Sequence, residues 1–258
     1  NGEVQEPIEN YASGSGFSTG FLTTGEYEYA LISVSDAGGC NASTNGSPVT
    51  LEVNNEWTYD FTYIDRSSMV ADGWDFIAQT QDGSERNTEM TNGAVVSFDQ
   101  QSHPGVINIP VDEGDLWEGM NSTRNTLFRD LPPDWTSIRL KIASFNPTKN
   151  YQQAGLALYQ DDDNYACLTR VHEGQNRITF ISESDRDGEN ISSSLSDITE
   201  DIYFRIDWDS RTGVVVAFHS TDGLLWETVG TVTPWFSNPR LAIVVSGDEV
   251  AGDYLVAS

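Results

Sequence analysis

Two acidic segments, a few aromatic rings outside apolar runs and three histidines are the residues in this chain that could do chemistry. Asp161-Asp162-Asp163-Asn164 crowds three carboxylates into one short connection, where mutual repulsion favours a bound cation. Asp185-Arg186-Asp187-Gly188-Glu189-Asn190 sets oxygen ligands at alternating positions around a glycine, as Ca²⁺ loops do, although it lacks the distal bidentate glutamate of a full loop. Asp161, Asp163, Asp185, Asp187 and Asn190 are therefore the candidate Ca²⁺ ligands, with Asp248 and Asp253 behind them. The competing reading is that both segments are solvated turns.

Recognition of sugars rests on aromatic faces stacked against pyranose rings, helped by planar polar side chains. Trp117 lies in the polar loop Asp112-Glu113-Gly114-Asp115-Leu116-Trp117-Glu118-Gly119, and Trp235 lies between Pro234 and Phe236. Tyr159 and Tyr165 bracket the acidic connection and would flank a ligand beside Asp162 or Asn164. These six residues form the candidate carbohydrate site, against the reading that each ring packs in the core or at its rim. Trp74, Trp208 and Trp226 are assigned to the core.

No catalytic residue is assigned. Nucleophile elbows, His-Glu-x-x-His, Cys-x-x-Cys and phosphate-cradling glycine loops are absent from the sequence. His103, His172 and His219 stand far apart with no metal-ligand spacing. A retaining glycosidase needs two carboxylates about 5–5.5 Å apart. Glu183-Ser184-Asp185 is the nearest approach, and Gly188 occupies the position where a third acid would follow.

The charge balance is 40 Asp+Glu against 13 Lys+Arg, a net charge of −27. Such a field repels phosphate, so nucleic acid is excluded as a partner, and acidic polysaccharides and anionic membranes are disfavoured unless cations bridge the contact. With 38% hydrophobic and 11% aromatic residues the chain has the material for a packed core rather than a disordered acidic tail. Its 258 residues suit one large or two smaller domains. Cys40 and Cys167 make no disulfide framework, although a bond between the two stays open. Asn41, Asn45, Asn121 and Asn190 each open a glycosylation sequon. The chain begins at Asn1 and has no apolar run near 18 residues, so it is expected to be a processed or excised piece of a secreted protein, extracellular or at the cell surface, without membrane insertion.

Short β-branched and aromatic runs separated by Gly, Asn, Asp and Pro predict strands over residues 27–34, 49–53, 57–64, 94–98, 137–145, 154–159, 165–171, 177–182, 202–208, 214–220, 226–232, 240–246 and 253–257. Helices should be scarce. A boundary near Asn54-Asn55-Glu56 divides the chain into residues 1–55 and 56–258.

The first part, through Gly25-Glu26-Tyr27-Glu28-Tyr29, the Asp36-Ala37-Gly38-Gly39-Cys40 turn and Val49-Thr50-Leu51-Glu52-Val53, resembles the closing hairpin of a PKD-type immunoglobulin-like module. The second part resembles the concanavalin A-like domains appended to family 43 β-xylosidases and the related regulation-of-enolase type domains. Four segments carry the likeness: Gln153 to Tyr165, with its Gly-Leu strand and acidic turn; Tyr203-Phe204-Arg205-Ile206-Asp207-Trp208; Ser220-Thr221-Asp222-Gly223-Leu224-Leu225-Trp226; and Asp253-Tyr254-Leu255-Val256. The resemblance implies an all-β fold, an antiparallel β-sandwich of the concanavalin A-like jelly-roll kind, behind a short N-terminal immunoglobulin-like segment.

It also implies a non-catalytic carbohydrate-binding or accessory module whose partners are a polysaccharide or glycan and other domains of a larger secreted protein. A surface or filament subunit, joined to identical subunits by strand exchange, is the alternative, because a truncated N-terminal sheet exposes unpaired edges. A glycoside hydrolase or lyase using Glu183 or Asp185 is the third.

Overall fold

The segment Ile202–Asp209 reads Ile-Tyr-Phe-Arg-Ile-Asp-Trp-Asp, a period-two alternation that sends Ile202, Phe204 and Ile206 to one face and Tyr203, Arg205 and Asp207 to the other. The first set is fully buried and the second is half-exposed, as a strand with one face on a core requires.

The structure is a computed structural model, and it describes residues 25–30, 34–35, 38, 40–42, 47–53, 57–88, 96, 98–133, 135–143, 145–235, 238–247 and 256–257. Most of the expected strand at 94–98, and the candidates Asp248 and Asp253, lie outside them. Two compact units divide the chain, Asn1–Tyr59 and Asp60–Ser258. In the first, β1 (Gly25–Tyr29) pairs antiparallel with β4 (Val49–Val53), Tyr27 opposite Leu51, and the short β2 (Val34–Ser35) pairs with β3 (Asn41–Ala42).

The second unit opens with helix α1 (Arg66–Ala71), capped by Asp65, whose carboxylate accepts from Ser68 N at 2.7 Å. Short strands follow: β5 (Trp74–Asp75), β6 (Ile77–Gln79), β7 (Glu85–Asn87), β8 (Ile109–Pro110) and β9 (Leu127–Arg129). The long strands are β10 (Ser137–Ile142), β11 (Gln153–Asp161), β12 (Asn164–His172), β13 (Asn176–Ser184), β14 (Asp187–Leu195), β15 (Ile202–Asp209), β16 (Val214–Ser220), β17 (Glu227–Val232) and β18 (Arg240–Ser246). β19 (Val256–Ala257) pairs with β8.

Antiparallel pairing gathers them into a seven-stranded sheet, β14-β13-β12-β11-β18-β9-β5, and a four-stranded sheet, β10-β15-β16-β17. This is the expected all-β, concanavalin A-like sandwich.

β12 is buried along its whole length except His172, so both faces of the larger sheet are covered. One face, with Leu156, Leu168 and Phe180, meets the four-stranded sheet; a Cβ added to Gly230 of β17 would lie 3.1 Å from both Phe180 and Ile191. The opposite face, with Phe128, Ala157, Tyr159, Tyr165, Cys167, Ala242 and Val244, packs against Ala78 and Leu116. Ala78 and Leu116 thus form a cap over that face, and its burial removes apolar surface from water.

One expectation needs correction, and one open question closes. The strand over residues 57–64 does not form: Phe61 takes a φ of 48°, which no strand admits, and its ring turns onto Trp74 at 5.4 Å between centroids. Cys40 and Cys167 both remain thiols, one exposed and one buried.

Candidate functional site

The acidic connection is closed rather than open. Asp161 ends β11, Asn164 begins β12, and the two residues between, Asp162 and Asp163, have no exposed surface. Asp161 shapes the bend, its Oδ1 accepting from Asp163 N at 3.0 Å and Asn164 Nδ2 at 2.7 Å. Asp162 meets the Arg86 guanidinium at 3.0 Å and accepts from the Tyr159 hydroxyl at 2.9 Å. Asp163 accepts from Asn121 Nδ2 at 2.7 Å and faces Arg186 Nε at 3.0 Å. The cation that three crowded carboxylates call for is therefore supplied by the chain itself, as two guanidiniums. Burial pushes the Asp162 carboxyl above its usual range, and Arg86 opposes that push.

The second acidic segment is a two-residue hairpin. Ser184 pairs with Asp187, and Asp185 and Arg186 between them have φ of 56° and 68°, as in a type I′ turn. From Asp187 onward the chain is strand β14, so successive side chains leave on opposite faces and their oxygens cannot wrap an ion. Asp185 accepts instead from the Gln81 side-chain amide, and its N–H donates to Asn164 Oδ1 at 3.1 Å. Among the described residues no group of three or more His, Cys, Asp or Glu could hold a metal ion. Asp161, Asp163, Asp185, Asp187 and Asn190 thus do not fit a Ca²⁺ cage, because alternation separates Asp187 from Asn190 while local hydrogen bonds occupy Asp161 and Asp185 and a guanidinium faces Asp163.

The carboxylate pair offered for hydrolysis is also separated. Glu183 is fully buried, its Oε2 accepting from Glu118 N at 2.7 Å and lying 3.1 Å from the Tyr165 hydroxyl, while Asp185 sits on the exposed turn. Desolvation raises the Glu183 carboxyl to about 7, against the lowering effect of the Glu118 N–H and the Tyr165 hydroxyl. One acid is sealed behind the cap and the other is in solvent, so no glycosidic bond can lie between them.

Tyr159 and Tyr165 are likewise corrected. Both rings are buried in the cap interface, with Tyr159 against Phe128 at 4.7 Å between centroids, so neither presents a face to a sugar. Asn164 is buried with them. Trp117 is half-buried and lies flat over Gly188, where an added Cβ would come within 2.7 Å of its ring. Trp235, 90% exposed beside the buried Pro234, is the one candidate ring that stands free of the core.

A different arrangement occupies the outward face of the four-stranded sheet. Arg139 of β10 stands directly opposite Arg205 of β15, which stands opposite Phe218 of β16; two residues along, on the same face, Lys141 stands opposite Tyr203. The Arg205 guanidinium lies 4.0 Å above the Phe218 ring and 4.8 Å from that of Trp226, and Arg139 lies 5.6 Å from the same indole. Lys141 lies 5.6 Å over Tyr203 and pairs with Asp201 at 2.6 Å, and Arg205 Nε meets Asp207 at 3.2 Å. Arg139 is exposed and has no ion pair among the described residues.

Trp226 was expected in the core. It is half-buried and stacked beneath two guanidiniums instead, because Asp222 and Gly223 close the preceding turn so that it returns on the outward side. The period-two spacing of Arg139 with Lys141, and of Tyr203 with Arg205, is the sequence signal for this face; nothing local marks that the two rows are adjacent.

Comparison with known proteins agrees with the geometry. Residues 97–238, more than half of the chain, match the family described as the beta xylosidase C-terminal concanavalin A-like domain. No curated protein sequence matches the chain. Among solved structures it is similar to the family 43 protein BlXynB of Bacillus licheniformis (14% identity, TM-score 0.61), a xylan beta-1,4-xylosidase of Bacillus halodurans C-125 (12%, 0.58) and the family 43 protein B of a Bacteroides ovatus xyloglucan locus (14%, 0.57). In each case 87% of this chain superposes on 44% of the other, so the chain spans under half the length of these proteins. At such identity the likeness is one of fold.

Proposed function

This chain belongs to the family of beta xylosidase C-terminal concanavalin A-like domains, and from that membership we propose that it is a non-catalytic accessory module that binds polysaccharide. The binding surface in this reading is the outward face of β10, β15, β16 and β17, with Trp235 as a separate exposed contact. The module works outside the cell, attached to a larger carbohydrate-active protein, with the Asn1–Tyr59 unit as the tail of an immunoglobulin-like spacer.

The observation that carries the reading is the stack of Trp226, Arg205 and Phe218 on an open sheet face. Guanidinium planes supported by aromatic rings on a sheet match the flat faces and hydroxyl edges of a sugar chain. The opposite sheet face, where a cleft would otherwise lie, is filled by the cap.

Affinity electrophoresis of the whole chain through gels containing a panel of plant polysaccharides tests the proposal. At least one polymer should retard it, and Trp226→Ala should weaken that retardation about tenfold. Arg205→Gln serves as the second variant should the tryptophan change disturb folding. Migration unaffected by every polymer would sink the reading.

A further inference from the structure

Two arginines directly opposite each other on neighbouring strands repel, so their pairing needs a reason other than stability. The chain has 40 carboxylates with which to separate them and 13 cations in all, yet three of those, Arg139, Lys141 and Arg205, share one patch of sheet. Arg205 and Lys141 each keep one aspartate; Arg139 keeps none among the described residues.

Stacking on an aromatic plane engages the face of a guanidinium and leaves its N–H edge available to acceptors lying in its own plane. With both guanidiniums within 5.6 Å of the Trp226 indole, Arg139 and Arg205 are held where a carboxylate can bridge them. Lys141 lies two residues beyond Arg139 on β10, about 6.8 Å along the strand, and offers the next cation in line.

We infer that this face docks a uronate-bearing polysaccharide strand, its carboxylates received by Arg139, Arg205 and Lys141 and its rings laid against the guanidinium planes that Trp226 and Phe218 support from beneath. The inference rests on the polysaccharide-binding reading and narrows its ligand to an acidic glycan. It reverses, for this one face, the expectation that the overall charge disfavours such polymers. At physiological ionic strength fields are screened over about 8 Å, so carboxylates elsewhere on the surface weigh less than cations in contact. An acidic polypeptide would satisfy the cations but brings no pyranose faces to lay against the stacked guanidinium planes.

Glucuronoxylan, the same polymer after chemical reduction of its carboxyl groups, and poly-glutamate are the probes, used with the whole chain. Retardation by glucuronoxylan should exceed that by the reduced polymer about tenfold, and Arg139→Gln should abolish most of the difference while leaving the melting temperature unchanged. Lys141→Gln should give a smaller loss. Equal retardation by both polymers would overturn the inference and keep the polysaccharide reading, and so would an Arg139→Gln variant that behaves as the parent. Full competition by poly-glutamate at equal charge would redirect the face to an acidic protein. Failure of every glycan in the panel would remove the broader reading and this one with it.

Discussion

The capped end of the seven-stranded sheet and the outward face of the four-stranded sheet are built from the same kinds of side chain. Each sets carboxylates, arginines and aromatic rings within hydrogen-bonding or stacking distance. At the capped end Asp162, Asp163, Glu183, Tyr159 and Tyr165 are all buried, and their donors come from elements far off in sequence. On the outward face Arg139 and Lys141 are exposed and the rings beneath them half-covered. The difference teaches that charge beside aromatics marks a lock or a site according to what lies over it. In the first place the chain has closed its own network; in the second it has left one open.

Breaking the lock should do most harm. Arg86→Met leaves the fully buried Asp162 carboxylate without its cation, and a loss of about 3 kcal/mol is expected in denaturant titrations. Gly188→Val drives a side chain into the Trp117 ring and should cost about 1–3 kcal/mol, with a change in tryptophan emission as that ring is displaced.

Glu183→Gln sharpens the comparison through pH. The folded carboxyl is raised to about 7 above the unfolded value of 4.5, so the folded state holds a proton through that window that the unfolded state has lost. The protonated glutamate's contribution is fully present below about 4.5 and is lost as pH rises through about 7. The glutamine variant should show a flatter pH dependence of melting between those limits and gain about 1 kcal/mol at pH 8. Substitutions on the outward face should barely register in stability: Arg139→Gln and Trp235→Ala are each expected within about 0.5 kcal/mol of the parent. An unfolded Arg139→Gln variant would erase the distinction between lock and site.

The sheets were legible because period-two alternation is a local property. Ile202, Phe204 and Ile206 announce their face within five residues, and the acidic connection after Tyr159 was correctly read as a strand-to-strand turn. Its contents were not legible. Arg86 lies 76 residues from Asp162, and no local pattern reports a guanidinium that arrives from another strand. Trp226 was misplaced for a related reason: its hairpin was foreseen, but its side of the sheet depends on the turn. Asp222 accepts from Leu224 and Leu225 N–H groups at 2.8 Å each while Gly223 takes a φ of 72°. The outward face needed a register, Arg139 opposite Arg205, that only the folded chain supplies.

Cys167 sits under the cap, 3% exposed, with its thiol pushed up to about 12 by burial, whereas Cys40 is exposed. An alkylating reagent should therefore consume the exposed thiol at once and reach the buried one only when the core around Cys167 opens locally. The chain thus carries an internal clock: the slow phase of its labelling times the local opening of its own core, with no probe added.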